Sequence, residues 1–148
     1  MDVRLYQPGD FAEWLRMRRA LWPEITPDTE VGEAASWLAR SDAVVLVAVR
    51  PGGIGLAGFA ELGARPYADG CETSPVAFLE GWYVDPDVRR RGAGAALVRA
   101  GEAWARREGY RELASDALLE NETSQRAHEA LGFAEVERAV RYRKALDG

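Results

Sequence analysis

Residues 84–98 read VDPDVRRRGAGAALV, an apolar strand end that passes through Arg89, Arg90 and Arg91 into a helix start punctuated by Gly92, Ala93 and Gly94. The first turn of a helix carries N–H groups with no internal acceptor, and the aligned peptide dipoles add partial positive charge there. The two glycines leave those groups uncovered. The three arginines raise the local potential, so this loop is built for an anion, with a diphosphate as its natural occupant. The plainer alternative is a solvated basic loop before a helix. Pro86 and the closely spaced glycines favour a shaped loop.

On the N-terminal side of this loop, residues 76–84 (VAFLEGWYV) form an apolar strand interrupted by Glu80-Gly81. A glycine after a charged residue inside a strand marks a bulge, which frees backbone groups near Trp82, Tyr83 and Val84 and aims Glu80 into a gap. The alternative keeps Glu80 as the solvent-side residue of an edge strand. Before it, residues 66–75 are polar and turn-rich and carry Tyr67, which predicts a mobile loop. Residues 43–50 and 54–62 read as a hairpin across Pro51-Gly52-Gly53.

Nearer the N-terminus, a short strand at 3–6 leads through Pro8-Gly9-Asp10 to a helix bearing Phe11, Trp14, Leu15, Arg18 and Leu21, which Pro23 ends. Trp22 lies between that helix and a second one at 29–38. Beyond the arginine loop, a helix over 93–108 places Leu97, Val98, Gly101, Trp104 and Ala105 on one face, with Gly109 as its C-terminal cap. A strand at 112–116 follows. Asn121 then caps a helix to about 131, Gly132 ends it, and Phe133 opens a last strand through Tyr142.

A chain of 148 residues with 47% hydrophobic composition suits one domain over 1–148. The longest apolar run, 43–49, is far shorter than the roughly 18 residues of a membrane span, and no basic-then-apolar signal segment opens the chain. A cytoplasmic location is expected. Cys71 is the only cysteine and His128 the only histidine, so an internal disulfide and a multi-histidine metal site are excluded, and no metal is expected. The net charge of -5 argues against nucleic acid or an anionic membrane as partner and fits a cationic one.

The spacing G-x-G-x-x-G occurs once, at Gly53, Gly55 and Gly58, but these glycines leave a turn and run on into a strand, so the dinucleotide reading is rejected. No lysine follows a glycine loop in Walker fashion, and no G-x-S-x-G elbow is present. Asp116 and Asn121 sit where open α/β sheets place ligands, yet they serve equally as a turn former and a helix cap.

With these pieces in order, the chain resembles the GNAT N-acetyltransferases over nearly its whole length. The coenzyme A signature of that superfamily is met by Arg89, Gly92 and Gly94, and its asparagine and leucine-glycine-phenylalanine helix end by Asn121 and Leu131-Gly132-Phe133. LWPE, YADGCETSPVAFLEGWYV, ELASD, ENETSQRAHEALGF and ERAVRYRK resemble the aminoglycoside 6'-N-acetyltransferase subgroup in order and spacing. The resemblance implies an α+β fold, a mostly antiparallel mixed sheet of about six or seven strands with about four helices, splayed beside the bulged strand to hold acetyl-CoA. It implies acetyl transfer from acetyl-CoA to an aminoglycoside 6'-amine, and a homodimer. Carried over by residue, it puts Trp22, Tyr67, Glu80, Asp116 and Glu137 around the aminoglycoside. Around acetyl-CoA it puts Trp82, Tyr83, Val84, Arg89, Arg90, Arg91, Gly92, Ala93, Gly94 and Asn121.

Glu80, directly or through water, is the expected base for the substrate ammonium, with Asp116 competing. Many of these enzymes have a tyrosine where this chain has His128, so the acid for the departing thiolate stays open between His128, Tyr142 and solvent; His128 also reads as an ordinary helix residue. Two other functions share the coenzyme half of the pattern: a GNAT enzyme acting on a polyamine, peptide N-terminus or small amine, and a noncatalytic acyl-CoA sensor.

Overall fold

A computed structural model describes residues 1–147. The chain divides into two compact units, the first being residues 1–116 and the second starting at Ala117. The first unit holds one sheet whose strands lie side by side in chain order: β1 (Val3–Leu5), β2 (Ala43–Val49), β3 (Leu56–Arg65), β4 (Val76–Val84) and β5 (Leu113–Ser115). The first four pair antiparallel, and β5 joins β4 in parallel after a crossover through the helix α3 (Ala93–Arg107). Helices α1 (Phe11–Leu21) and α2 (Pro27–Ala39) fill the connection between β1 and β2. The second unit contains α4 (Glu122–Ala130).

The described residues form five strands where six or seven were expected. Residues 133–142, expected to be the last strand, carry neither helix nor strand, and from 134 onward they are exposed. The preference of Phe, Val and Tyr for strands expresses packing on a paired, half-buried surface, and among the described residues this backbone joins no ladder. The predicted hairpin is present as β2 and β3, with Gly53 and Gly55 at positive φ in its turn and Gly58 inside β3. No dinucleotide loop exists at these glycines.

Strand alternation assigns β3 to two covers. Gly58 and Leu62 face α3: a Cβ at Gly58 would lie 3.3 Å from Leu97 Cδ1, and one at Gly101 would lie 2.7 Å from Leu62 Cδ2. Phe59, Glu61 and Gly63 face α1 and α2, where they meet Trp22, Arg18 and Trp37. Cover on both sides explains why LAGFAELG is buried from end to end. Leu97 and Val98 of α3 are wholly buried, which stabilises the unit by about 2 kcal/mol each.

Candidate active site

The register of β3 and β4 shifts at one place: Glu61 pairs with Gly81 and Leu62 with Leu79, so Glu80 is the extra residue of a bulge. The strand then continues with its faces reset. Trp82 turns toward α3, its Nε1 donating to the Gly94 carbonyl at 3.1 Å, while Tyr83 turns toward Phe59 on the α1 side. Glu80 and Gly81 therefore stand together on the α1 side. On the far edge of β4 the ladder with β5 covers only Ala77 to Leu79, whereas β4 runs on to Val84. The two strands part just where the bulge sits.

Side chains around the bulge form a charged cluster. Glu80 accepts a two-bond fork from Arg65, Nε to Oε2 at 2.7 Å and Nη2 to Oε1 at 2.6 Å. Hydrogen bonding to Glu80 raises the Arg65 guanidinium above its usual range against the opposing effect of burial, and the charges of Glu80 and Asp116 add to the rise. Asp116, exposed just beyond β5, thus acts electrostatically on the same guanidinium. Trp22, the residue that ends α1, packs over Gly81 so closely that a Cβ there would come 2.7 Å from its Cη2. Trp22 is held edge-on to Phe59 and over the Arg18 guanidinium.

Beneath Trp22 lies a buried ion pair. Arg18 Nε donates to Glu61 Oε1 at 2.6 Å, Trp14 Nε1 donates to the same oxygen at 3.1 Å, and Glu61 is 1% exposed. Burial pushes the Glu61 carboxyl up, and the nearby Glu80 charge pushes the same way, against the hydrogen bonds and charge of Arg18. Arg18 Nη1 has no hydrogen-bond partner among the described residues. The Arg18 guanidinium carbon sits 5.2 and 4.9 Å from the Trp14 and Trp22 ring centres.

After the bulge, β4 leads into the arginine loop through Asp85, a 3% exposed carboxylate. Arg16 donates to both of its oxygens at 3.0 and 2.9 Å and Arg50 to one at 2.8 Å. Burial alone would raise the Asp85 carboxyl, but hydrogen bonds from Arg16, Arg50 and Tyr83 outweigh it and hold the group below the usual carboxylate range. The start of the loop is fixed further by Asp85 N–H donating to the Ala57 carbonyl at 2.7 Å and by Arg89 Nε donating to the Val84 carbonyl at 3.0 Å. Gly92 caps α3 at φ 88°, with nothing within 4 Å of the place a Cβ would occupy. The first backbone bond of the helix runs from Ala96 N to Gly92 O, so the N–H groups of Ala93, Gly94 and Ala95 lie outside its ladder. Arg89, Arg90 and Arg91 are exposed. These N–H groups, with the exposed arginines beside them, fit the diphosphate of coenzyme A.

Tyr67 is 71% exposed on the 66–75 loop. That loop, expected to be mobile, is fastened: the Glu112 carboxylate accepts from the backbone N–H of Glu72 at 2.9 Å and of Thr73 at 2.7 Å. In the second unit, Asn121 caps α4, its Oδ1 accepting from Ser124 N–H at 3.1 Å. His128 Nδ1 lies 2.7 Å from the Ser124 carbonyl oxygen, so that nitrogen carries its proton, and the ring meets Phe133 edge-on. Glu137 and Tyr142 are exposed on residues 133–147. The first unit brings together Trp22, Glu80 and Asp116, and separately Trp82 to Gly94. Asn121, His128, Glu137 and Tyr142 belong to the second unit.

Sequence reasoning missed Arg65, Asp85, Arg16 and the Arg18–Glu61 pair. One signal was available: Glu61 is a lone acid inside the apolar run LAGFAELG, and a buried carboxylate needs a cationic partner. Nothing local points from it to Arg18.

The acetyltransferase (GNAT) family profile matches residues 11–133. An aminoglycoside N(6')-acetyltransferase type 1 of Klebsiella aerogenes is 50% identical over 147 residues, covering 97% of this chain and 96% of the relative. Its namesake from Stenotrophomonas maltophilia is 42% identical, covering 98% and 94%. Among solved structures, AAC(6')-Iy in complex with the bisubstrate analog CoA-S-monomethyl-acetylneamine superposes with a TM-score of 0.90 at 37% identity, over 98% of each chain. The aminoglycoside 6'-N-acetyltransferase AAC(6')-IG of Acinetobacter haemolyticus gives 0.90 at 36% identity, over 99% of this chain and 100% of that one. The parted strands, the bulge and the cationic helix start thus lie within a full-length match, and the chain belongs to the GNAT acetyltransferase family.

Proposed function

We propose that this protein transfers the acetyl group of acetyl-CoA to the 6'-amine of aminoglycosides, and so confers resistance to them. The observation that carries the reading is the 50% identity to an enzyme of that name across 97% of this chain and 96% of the relative. The geometry supports it, because β4 carries a carboxylate cluster at its bulge and leads through the arginine loop into a cationic helix start. The family match crosses from the first unit into the second, which supports residues 1–148 working as one acetyltransferase domain.

Acetyl-CoA supplies the activated acyl group as a thioester. Arg89, Arg90, Arg91 and the N–H groups of Gly92, Ala93 and Gly94 hold its diphosphate, and Trp82, Tyr83 and Val84 line its arm; Asn121 is assigned to it by the family resemblance alone. Trp22, Tyr67, Glu80, Asp116 and Glu137 receive the polycation through charge-assisted hydrogen bonds and ring faces. Attack requires a neutral amine, so Glu80 accepts its proton, with Asp116 as the second carboxylate able to do so. His128, Tyr142 or solvent returns a proton to the thiolate. Backbone N–H groups beside the bulge polarise the acetyl carbonyl, and alignment of the two substrates supplies much of the acceleration. The protein works in the cytoplasm as a homodimer.

Initial rates of acetyl-CoA consumption with kanamycin and tobramycin, against polyamines and peptides with free N-termini, test the reading. Turnover with the aminoglycosides alone supports it. Turnover only with polyamines or peptides moves the protein to another acceptor, and CoA binding without transfer to any amine makes it a sensor.

A further inference from the structure

The acidic cluster already contains a cation. Arg65 ends β3, and its guanidinium carbon lies 3.5 Å from the centre of the Phe78 ring while its fork engages both oxygens of Glu80. Phe78 is 4% exposed and so offers a fixed platform, whereas the Arg65 side chain keeps 41% of its surface in solvent. An ion pair this open adds little to stability. Its position matters more, because the fork places a fixed cation directly on the carboxylate proposed to take the proton of the substrate amine.

We propose that Arg65 is a specificity-determining residue of the acceptor site, a resident cation that fixes the direction from which an amine reaches Glu80 and weakens the pocket's hold on the ammonium form. The inference rests on the acetyltransferase reading. A carboxylate offers about four lone-pair positions, and the Arg65 fork takes one on each oxygen. An incoming amine meets the remaining ones, along a line set by the arginine. The positive charge at that place also disfavours an ammonium relative to the neutral amine, and only the neutral amine attacks the thioester. Arg65 thus lowers affinity for the polycation while raising turnover. A merely structural arginine would move both properties in the harmful direction when removed.

Three purified full-length proteins decide the matter: the unsubstituted chain, Arg65→Met and Arg65→Lys. Neamine binding is followed by calorimetry in the presence of CoA, and acetylation by steady-state rates. Arg65→Met is expected to bind neamine about threefold tighter and to turn over about tenfold more slowly. Arg65→Lys, which keeps the charge, should bind like the unsubstituted protein. Weaker binding by Arg65→Met, or a kcat within about twofold of the unsubstituted value, overturns the proposal. If Arg65→Met does not fold, Arg65→Gln removes the charge while keeping a hydrogen bond to Glu80, with the same expected directions. If the unsubstituted protein acetylates no aminoglycoside, the proposed function falls, and spermine binding then judges Arg65 alone. Tighter spermine binding by the neutral variant supports the resident cation, and weaker binding overturns it.

Discussion

Gly81→Ala should separate the acceptor half of the site from the coenzyme half. A Cβ at Gly81 would lie 2.7 Å from Trp22 Cη2, 3.1 Å from Cζ2 and 3.3 Å from Phe59 Cε2. Ordinary contact begins near 3.4 Å, so the indole must retreat by about 0.7 Å (3.4 minus 2.7). It has little room to do so. Phe59 stands edge-on to it, and the Arg18 guanidinium behind it is locked to the buried Glu61 carboxylate. Overpacking of this kind destabilises by about 1–3 kcal/mol, which for a chain of this size lowers the melting temperature by about 4–8 °C at the middle of that range. Displacement of the Trp22 wall by a large fraction of an ångström should cut kcat/KM for an aminoglycoside about tenfold, while the Kd for CoA stays within about twofold, because the arginine loop is untouched. Thermal unfolding, steady-state rates and CoA calorimetry read the three quantities. The double variant Gly81→Ala with Trp22→Phe, which removes the offending ring atoms, should recover most of the lost melting temperature. A single variant that melts within about 1 °C of the parent would show that the indole yields freely, and the reasoning from its confinement would be wrong.

Glu80→Gln should lower kcat/KM for the aminoglycoside by about a hundredfold through loss of the base, with CoA affinity nearly intact, and Asp116→Asn should lower it less; unchanged turnover in both removes the acid–base assignment. Gly92→Leu forces a side chain into φ 88° at the N-cap of α3, which strains the loop, so the Kd for CoA should rise about tenfold, and calorimetry showing undiminished affinity contradicts the phosphate cradle. Asp85 is held below the usual carboxylate range in the folded chain, so its contribution is present above the ordinary Asp range and is lost as pH falls through the lowered folded value. Asp85→Asn should therefore cost about 2–3 kcal/mol at neutral pH and flatten the loss of stability on acidification; a denaturant midpoint that falls with acid as steeply as in the parent refutes this.

The arginine loop and the helix start behind it were legible because they are made almost wholly from neighbours in sequence. Arg89 to Gly94, a glycine at positive φ and the following helix are set by local preferences, and each can be read within a window of ten residues or so. The bulge was legible for the same reason, since Glu80-Gly81 breaks the pattern of its own strand. The hairpin glycines and the buried face of α3 also follow from local periodicity. The carboxylate cluster is different in kind. Arg65 reaches Glu80 across 15 residues, Arg18 reaches Glu61 across 43, and Arg16 reaches Asp85 across 69. With arginine the basic residue at every place but Lys144, nothing in the local pattern says which arginine meets which acid. The failed last strand has the same origin: residues 133–142 alternate as a strand should, but pairing depends on a neighbour that local sequence does not name.

That division bears on how the protein can change. The proposed coenzyme site, built from backbone N–H groups, would tolerate few substitutions, because Gly92 has no replacement that keeps both its φ and its open surface. The proposed acceptor site, built from side chains on separate strands, could be retuned one residue at a time. Arg65 ends β3 and pairs with Glu80, and Asp116 follows β5, so both lie on strand ends away in sequence from the loop at 89–94. Exchange at either position should shift the choice among amines while acetyl-CoA binding persists. A substitution at Arg65 or Asp116 that abolished CoA binding would show the two halves to be coupled, and that independence would fail.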